Sequence, residues 1–126
     1  MKIIITGATG FVGKNLTHYL TTKSDTVIPL SIRNGDYRLD NTADAIIHLA
    51  GKAHDTKNTS DDNKYYRVNT DLTIALFDKF LQSDIKDFIF FSSVKAAADT
   101  IEGVLTEDSK ANPQTAYGKS KLKAET

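Results

Sequence analysis

Apolar residues along the chain follow two alternating periods. Short apolar runs predict four buried strands, at residues 2–6, 26–32, 45–50 and 88–91. Pro29 in the second run predicts a bend or irregular pairing there. Between the runs, apolar residues recur at helical spacing over residues 12–22 and 62–82. Strands that alternate with helices are typical of an α/β fold with a parallel sheet.

The predicted helix over residues 62–82 has two apolar faces. On a helical wheel its polar residues fall within one narrow arc: Lys64, Arg67, Asp71, Asp78 and Gln82. The residues that we expect to face the sheet are Val68, Leu72, Ala75 and Leu76. Ile74, Phe77 and Leu81 point elsewhere, which predicts a second buried surface, either a subunit interface or a contact with a further domain.

Composition narrows the class of partner. A chain of 126 residues with 40% hydrophobic and 25% charged residues is typical of one soluble globular domain. Its 16 basic and 16 acidic side chains cancel, which argues against charge-driven binding to nucleic acid or to a membrane surface. The chain has no cysteine, and its opening apolar run is too short for a membrane span or a leader peptide. We therefore expect a cytoplasmic protein.

A glycine-rich turn lies where the first strand gives way to the first helix. Its sequence is Thr6-Gly7-Ala8-Thr9-Gly10-Phe11-Val12-Gly13. We expect Gly7 to make the tight turn, Gly10 to admit a pyrophosphate, and Gly13 to let the helix pack on the sheet. The helix N-terminus adds free N–H groups and the positive end of its dipole. The alternative is a glycine-rich turn that binds no ligand. The strand before the turn and the helix after it favour a doubly wound, Rossmann-type sheet that binds a dinucleotide.

The choice between NAD and NADP depends on the segment after the second strand. NAD-binding folds usually offer a carboxylate at the end of that strand, and none stands there. Arg33 either pairs with the 2′-phosphate of NADP or is a solvated residue that opens the Asn34-Gly35 turn. Asp36 or Asp40 can serve NAD instead. Both cofactors stay open, and Arg33 slightly favours NADP.

A serine, a tyrosine and a lysine suggest proton-transfer chemistry. Tyr117 and Lys121 lie four positions apart, so one face of a helix carries both. A nearby ammonium lowers the pKa of a phenol from about 10, which suits proton exchange with an alcohol. Ser93 follows the fourth strand, at the edge where ligands of open α/β sheets bind. A solvated basic helix face is the alternative, but the glycine turn upstream favours the catalytic interpretation.

Two other groups of side chains do not require a functional role. His48 lies within the third predicted strand, so we expect a packed core histidine, and with His54 we expect no metal site. Lys119, Lys121 and Lys123 form a basic end, but the balanced net charge makes a solvated helix face sufficient. We expect no nucleic-acid partner.

Five segments together resemble the extended short-chain dehydrogenase/reductases, the NAD-dependent epimerase/dehydratase family. They are residues 6–13, His48-Leu49-Ala50-Gly51, Arg67-Val68-Asn69-Thr70, Phe91-Ser92-Ser93 and Tyr117-Gly118-Lys119-Ser120-Lys121, and they follow the family order over nearly the whole chain. The resemblance implies Ser93, Tyr117 and Lys121 as the catalytic trio, and Asn69 as a structural polar residue near the site. The cofactor contacts it implies are Gly7, Thr9, Gly10, Phe11, Val12, Gly13, Leu49, Ala50, Gly51, Tyr117 and Lys121.

The resemblance also implies a reaction and an assembly. Dehydratases of the family usually carry an acidic pair after the serine, whereas this chain has Val94-Lys95, so dehydration is disfavoured. The function it implies is NAD(P)-dependent chemistry on a nucleotide sugar, such as a UDP-sugar 4-epimerase. The alternatives are an NADPH-dependent 4-keto-sugar-nucleotide reductase and a non-enzymatic NAD(P)-binding sensor. The helix over residues 62–82 and the Tyr117 helix look like the pair that forms the family's homodimer.

The chain departs from the family in two places. About a dozen residues separate Arg33 from Ala45, fewer than in the family, so we expect a reduced helix and strand near residues 37–40 and a shallow adenine pocket. The chain ends at Thr126, within the predicted Tyr117 helix. We therefore expect residues 1–126 to be a partial NAD(P)-binding domain that lacks the C-terminal substrate domain and turns over little or nothing.

Overall fold

The computed structural model describes residues 1–53 and 61–126. The chain forms two compact units. The first consists of Met1–Gly51 and Leu72–Phe91, and the second of Lys52–Asp71 and Ser92–Thr126. The first unit holds the sheet, and the described part of the second holds helices joined by turns and coil. Among the described residues, no helix is long and apolar enough to cross a membrane.

A parallel sheet forms the centre of the first unit. Its strands are β1 (Lys2–Thr6), β2 (Thr26–Leu30), β3 (Ala45–His48) and β4 (Asp87–Phe90). They lie in the order β2-β1-β3-β4, and every neighbouring pair is parallel. Two helices complete this unit, α1 (Phe11–Thr22) and α3 (Leu72–Leu81). The predicted α/β fold with a parallel sheet is confirmed.

Apolar side chains cover both faces of this sheet. Ile4, Ile46 and Leu76 are at most 1% exposed and belong to one cluster. Ile3, Ile5 and Ile47 form a second cluster with residues of α1. Burial of each such side chain contributes roughly 1.5–3 kcal/mol, which explains why the short apolar runs form strands.

The irregular pairing predicted at Pro29 is not seen. Pro29 pairs with Ile5 in the same register as its neighbours, and β2 ends two residues earlier than expected, at Leu30. The strand order makes β2 an edge of the described sheet. An edge strand tolerates a proline because one side of its backbone has no partner strand.

The helix predicted over residues 62–82 forms as three consecutive pieces. These are α2 (Asp62–Tyr65), a π-helical segment (Tyr66–Asp71) and α3 (Leu72–Leu81). The wheel wrongly placed Ala75 against the sheet, since Ala75 is exposed and Thr73 is buried. A π-helical turn holds more residues than an α-helical turn, so it changes the faces of the residues that follow. Ile74, Phe77 and Leu81 are 45%, 41% and 64% exposed, as expected for a second apolar face.

The segment between β2 and β3 contains turns and coil only, so the expected reduction of a helix and a strand is confirmed. It nevertheless adds to the core, because Ile32, Tyr37 and Ala43 are buried. The Lys79 ammonium lies 4.7 Å from the centre of the Tyr37 ring and donates to the Tyr37 carbonyl oxygen at 3.1 Å. These contacts hold the segment against α3.

We predict that Tyr37→Phe stabilises the chain by about 1 kcal/mol, because the buried Tyr37 hydroxyl has no hydrogen-bond partner among the described residues. Burial also raises the pKa of Tyr37, so the wild type loses stability relative to the variant as the pH rises above 10. Urea unfolding at pH 7 and above pH 10 measures both effects. The control is Tyr19→Phe at an exposed tyrosine. A destabilised Tyr37→Phe chain would contradict the prediction.

Candidate functional site

The glycine turn of the first unit needs its glycines. Gly7 has a φ of +72°, in the left-handed region, and its carbonyl oxygen accepts from the Gly10 N–H at 3.0 Å. A Cβ atom at Gly7 would lie 2.7 Å from the Ala50 nitrogen, and one at Gly13 would overlap the Gly7 carbonyl oxygen. The backbone therefore packs too closely here for any other residue, as the spacing predicted.

The start of α1 is open to a ligand. Gly10 caps this helix without a side-chain hydrogen bond, and Phe11 is 86% exposed. The first intrahelical bond runs from the Lys14 N–H to the Gly10 carbonyl oxygen at 2.9 Å, so the N–H groups of residues 11–13 precede it. Such N–H groups and the positive dipole end suit a diphosphate. This geometry fits the dinucleotide that the resemblance implies.

The end of β3 lies beside the glycine turn. The Ala50 N–H donates to Thr6 Oγ1 and the Leu49 N–H to the Thr6 carbonyl oxygen, both at 3.2 Å. Thr6 Oγ1 also lies 2.6 Å from His48 Nδ1, and Thr73 Oγ1 lies 2.7 Å from His48 Nε2. The expected core histidine is confirmed, since His48 is fully buried. Leu49 and Ala50 thus share one end of the sheet with Gly7.

Metal-binding geometry is absent from the part of the chain that the structure describes. Within residues 1–53 and 61–126, no group of three or more His, Cys, Asp or Glu side chains could hold a metal ion. His54 lies outside these residues.

The acidic and basic candidates for ribose recognition lie in different places. Leu30 at the end of β2 pairs with Thr6 at the end of β1, so Arg33 and the glycine turn both follow the carboxyl ends of these strands. Arg33 is exposed and makes no ion pair with any described residue. The Asp40 carboxylate instead binds the Lys2 ammonium at 2.9 Å, and Lys2 lies at the amino end of β1, the end away from the glycine turn. Hydrogen bonds from Thr42, followed by that from Lys2, lower the pKa of Asp40 to about 2. These contacts favour a structural role for Asp40.

The second unit holds all three proposed catalytic side chains. Tyr117 and Lys121 belong to α5 (Ala116–Glu125), and Ser93 caps α4 (Val94–Ala97), where its Oγ accepts from the Lys95 N–H at 3.2 Å. The two helices touch at Gly118, where an added Cβ would overlap the Lys95 carbonyl oxygen. The sequence did not predict α4. Its contact with α5 brings the serine-bearing and tyrosine-bearing helices together.

Lys121 is buried, with 5% of its surface exposed. Burial lowers the pKa of its ammonium to about 8, and Glu125 partly opposes the shift. Lys121 therefore changes protonation close to neutral pH, as groups in active sites often do.

The Asn69 side chain connects Lys52 to Ser120 of α5. Its Oδ1 accepts from the Lys52 N–H at 2.7 Å, and its Nδ2 donates to the Lys52 carbonyl oxygen and to Ser120 Oγ, both at 3.0 Å. Thr70 Oγ1 donates to the Ser120 carbonyl oxygen at 2.8 Å. Asn69, Thr70 and Ser120 are at most 1% exposed. The implied structural role of Asn69 agrees with this network, whereas the sequence predicted no partner for Ser120.

An aromatic contact that the sequence did not predict lies beside Tyr117. The ring centres of Tyr65 and Tyr117 are 6.3 Å apart in an edge-to-face arrangement. Tyr65 has a second neighbour: the Lys52 ammonium lies 5.3 Å from the centre of the Tyr65 ring. Tyr65 therefore limits where the phenol of Tyr117 can point.

Comparison with known proteins gives a consistent family. The chain matches the model of the NAD dependent epimerase/dehydratase family over residues 3–126. It is 36% identical over 149 residues to a UDP-glucose 4-epimerase of Vibrio cholerae, with 98% of this chain and 45% of the relative covered.

Solved structures give the same result. A dTDP-4-dehydrorhamnose reductase from Clostridium acetobutylicum ATCC 824 is 27% identical with a TM-score of 0.81, over 99% of this chain and 48% of that one. RMD from Pseudomonas aeruginosa, complexed with NADPH, is 25% identical with a TM-score of 0.76, over 98% and 47%. The chain spans about half the length of these relatives.

We predict that Lys121 makes stability depend on pH. The folded chain releases this proton near pH 8, and the unfolded chain near pH 10.5, so the wild type gains stability relative to Lys121→Met across that window. The gain reaches about 3 kcal/mol at most. Urea unfolding of both proteins from pH 7 to pH 10.5 measures it. Lys119→Met, at an exposed lysine of the same helix, should give a flat difference. A flat difference for Lys121→Met would contradict the burial argument.

Proposed function

The chain belongs to the NAD-dependent epimerase/dehydratase family, and from this premise we propose that it serves NAD(P)-dependent chemistry on a nucleotide sugar. The observation that carries the proposal is that Ser93, Tyr117 and Lys121 lie in one compact unit, on or beside two helices in contact. A solvated basic helix face would not bury its lysine. The burial of Lys121 therefore favours the catalytic interpretation.

The glycine turn and the start of α1 are the proposed cofactor site. The N–H groups of residues 11–13 would bind the diphosphate of NAD or NADP, with Leu49, Ala50 and Gly51 beside it. The bound nicotinamide supplies a hydride acceptor and donor. RMD, similar to this chain at 25% identity, was solved with NADPH.

The proposed proton transfer uses the second unit. Tyr117 exchanges a proton between its phenol oxygen and a hydroxyl of the sugar. Lys121, with a pKa of about 8, carries its charge at neutral pH and stabilises the phenolate. Ser93 Oγ accepts from the Lys95 N–H, which leaves its own proton for a hydrogen bond to the substrate oxygen.

The leading substrate class is a UDP-sugar, with epimerisation at C4 as the reaction. The 36% identity to a UDP-glucose 4-epimerase supports it, and Val94-Lys95 after the serine argues against dehydration. The reductase from Clostridium acetobutylicum, together with the unpaired Arg33 guanidinium among the described residues, supports an NADPH-dependent 4-keto-sugar reductase as the second candidate. A non-enzymatic sensor is disfavoured, because it would not need the serine, tyrosine and lysine.

We also propose a homodimer. Ile74, Phe77 and Leu81 leave an apolar stripe of α3 exposed, and such a stripe on a globular protein is typical of a protein interface. The proposed interface uses this helix and the Tyr117 helix.

We predict that Tyr117→Phe lowers turnover of UDP-glucose to UDP-galactose by about 100-fold or more, because it removes the proton-transfer group. The affinity for NAD should change less than about twofold, since the glycine turn and the start of α1 are unchanged and the variant loses only the phenol oxygen of Tyr117. Steady-state kinetics of the complete enzyme measure the turnover, and titration with NAD measures the affinity. Tyr66→Phe, at a half-buried tyrosine of the same unit, should keep activity. Turnover above about a tenth of wild type in Tyr117→Phe would exclude the assignment.

A second prediction separates the cofactors. If Arg33 binds the 2′-phosphate, Arg33→Ala weakens NADPH binding by about 10- to 100-fold, the range for a hydrogen bond to a charged group, and leaves NAD binding unchanged. Isothermal titration calorimetry with each cofactor measures the two dissociation constants. Arg38→Ala, also at an exposed arginine, is the matched control. Equal losses for both cofactors would contradict a phosphate contact.

A further inference from the structure

We propose that Asp99 is a positioning residue that holds the helix of Tyr117 and Lys121 against the helix capped by Ser93. This inference rests on the proposed function, because it assigns Asp99 a role in the same proton transfer. Asp99 follows α4 in the chain and does not belong to either helix.

The carboxylate of Asp99 binds the residues immediately before α5. Its Oδ2 accepts from the Gln114 N–H at 2.6 Å and from the Thr115 N–H at 3.1 Å, and its Oδ1 accepts from Thr115 Oγ1 at 2.9 Å. The side chain is 15% exposed. Hydrogen bonds from backbone N–H groups to a carboxylate are among the stronger ones in proteins. The same bonds, that of Gln114 first, lower the pKa of Asp99.

Asp99 is also bound to α4. The Lys95 ammonium donates to the Asp99 carbonyl oxygen at 2.9 Å and lies 3.9 Å from Oδ1. The N–H of the same Lys95 donates to Ser93 Oγ. One residue thus connects Asp99 to the hydroxyl that we propose for catalysis.

The cap of α5 completes the connection. Thr115 Oγ1 donates to Asp99 and accepts from the Gly118 N–H at 3.1 Å, so the carboxylate orients the hydroxyl that caps this helix. Gly118 is also the point where α5 touches the Lys95 carbonyl oxygen. A continuous set of hydrogen bonds therefore runs from Ser93 through Lys95 and Asp99 to the first turn of the Tyr117 helix.

This placement matters for chemistry because α5 has 10 residues and is too short to be stable alone. Its position depends on its contacts with α4 and the π-helical segment. A misplacement of about 1 Å in a catalytic group costs on the order of 100-fold in rate. A residue that fixes the spacing of the two helices should therefore change turnover more than substrate or cofactor binding.

The test compares Asp99→Ala with Asp99→Asn in the protein as encoded. Both backbone N–H groups bind the same carboxylate oxygen, so the amide oxygen of asparagine can keep both bonds, whereas alanine keeps neither. We expect kcat for UDP-glucose to fall about 10- to 100-fold in Asp99→Ala and less than about fivefold in Asp99→Asn. KM and the dissociation constant of NAD should stay within about twofold. Asp108→Ala, at an exposed aspartate of the same unit, should match wild type.

A second readout does not depend on turnover. Amide hydrogen exchange of Gln114, Gly118 and Lys119 should accelerate by about tenfold or more in Asp99→Ala and stay close to wild type in Asp99→Asn. If Asp99→Ala fails to fold, Asp99→Asn and Thr115→Val, which loses the capping hydroxyl, replace it.

Three outcomes overturn the inference: wild-type kcat in Asp99→Ala, equal losses in Asp99→Ala and Asp99→Asn, or unchanged amide exchange. An inactive Tyr117→Phe with a fully active Asp99→Ala rejects the role of Asp99 alone. An active Tyr117→Phe rejects the proposed function itself. Amide exchange then still decides whether Asp99 holds α5 in place.

Discussion

Close backbone approach at glycine is the constraint on which each unit depends. In the first unit, Gly7 stands against the backbone of Ala50, and Gly13 against that of Gly7. In the second unit, Gly118 stands against the Lys95 carbonyl oxygen. A methyl group at any of these positions would separate elements that carry proposed functional groups. The glycines thus act through packing.

The sequence predicts most of the first unit because its signals are local. A run such as Ile3-Ile4-Ile5 forms a strand wherever two helical layers cover it, and all three residues are buried. The glycine spacing likewise predicts a turn before α1, and the turn forms there. The wheel of the helix over residues 62–82 failed at Ala75 because a π-helical segment changes the number of residues per turn, and nothing in the local pattern announces it.

The remaining parts of the candidate site depend on contacts between distant residues. Asn69 binds Ser120 and Lys52, Asp99 binds Thr115, and Asp40 binds Lys2. Each partner lies far away in the sequence, and periodicity carries no information about such pairs. Asp40 is an example: a carboxylate can bind the hydroxyls of a ribose, yet Lys2 and Thr42 hold this one near the amino end of β1, away from Gly7. The resemblance implies a structural role for Asn69, but its partners Lys52 and Ser120 are evident only in the folded chain.

The three lysines of α5 show how burial selects one residue from an apparently uniform basic end. Lys119 and Lys123 are exposed, and water screens their charges. Lys121 is buried, so its ammonium pays a desolvation cost, which lowers its pKa to about 8, and it acts through a medium of lower dielectric constant. A charge in such a medium influences a neighbouring phenol more strongly than the same charge in water. The stability that the fold loses by burying Lys121 at neutral pH is therefore consistent with the proposed role in proton transfer at Tyr117.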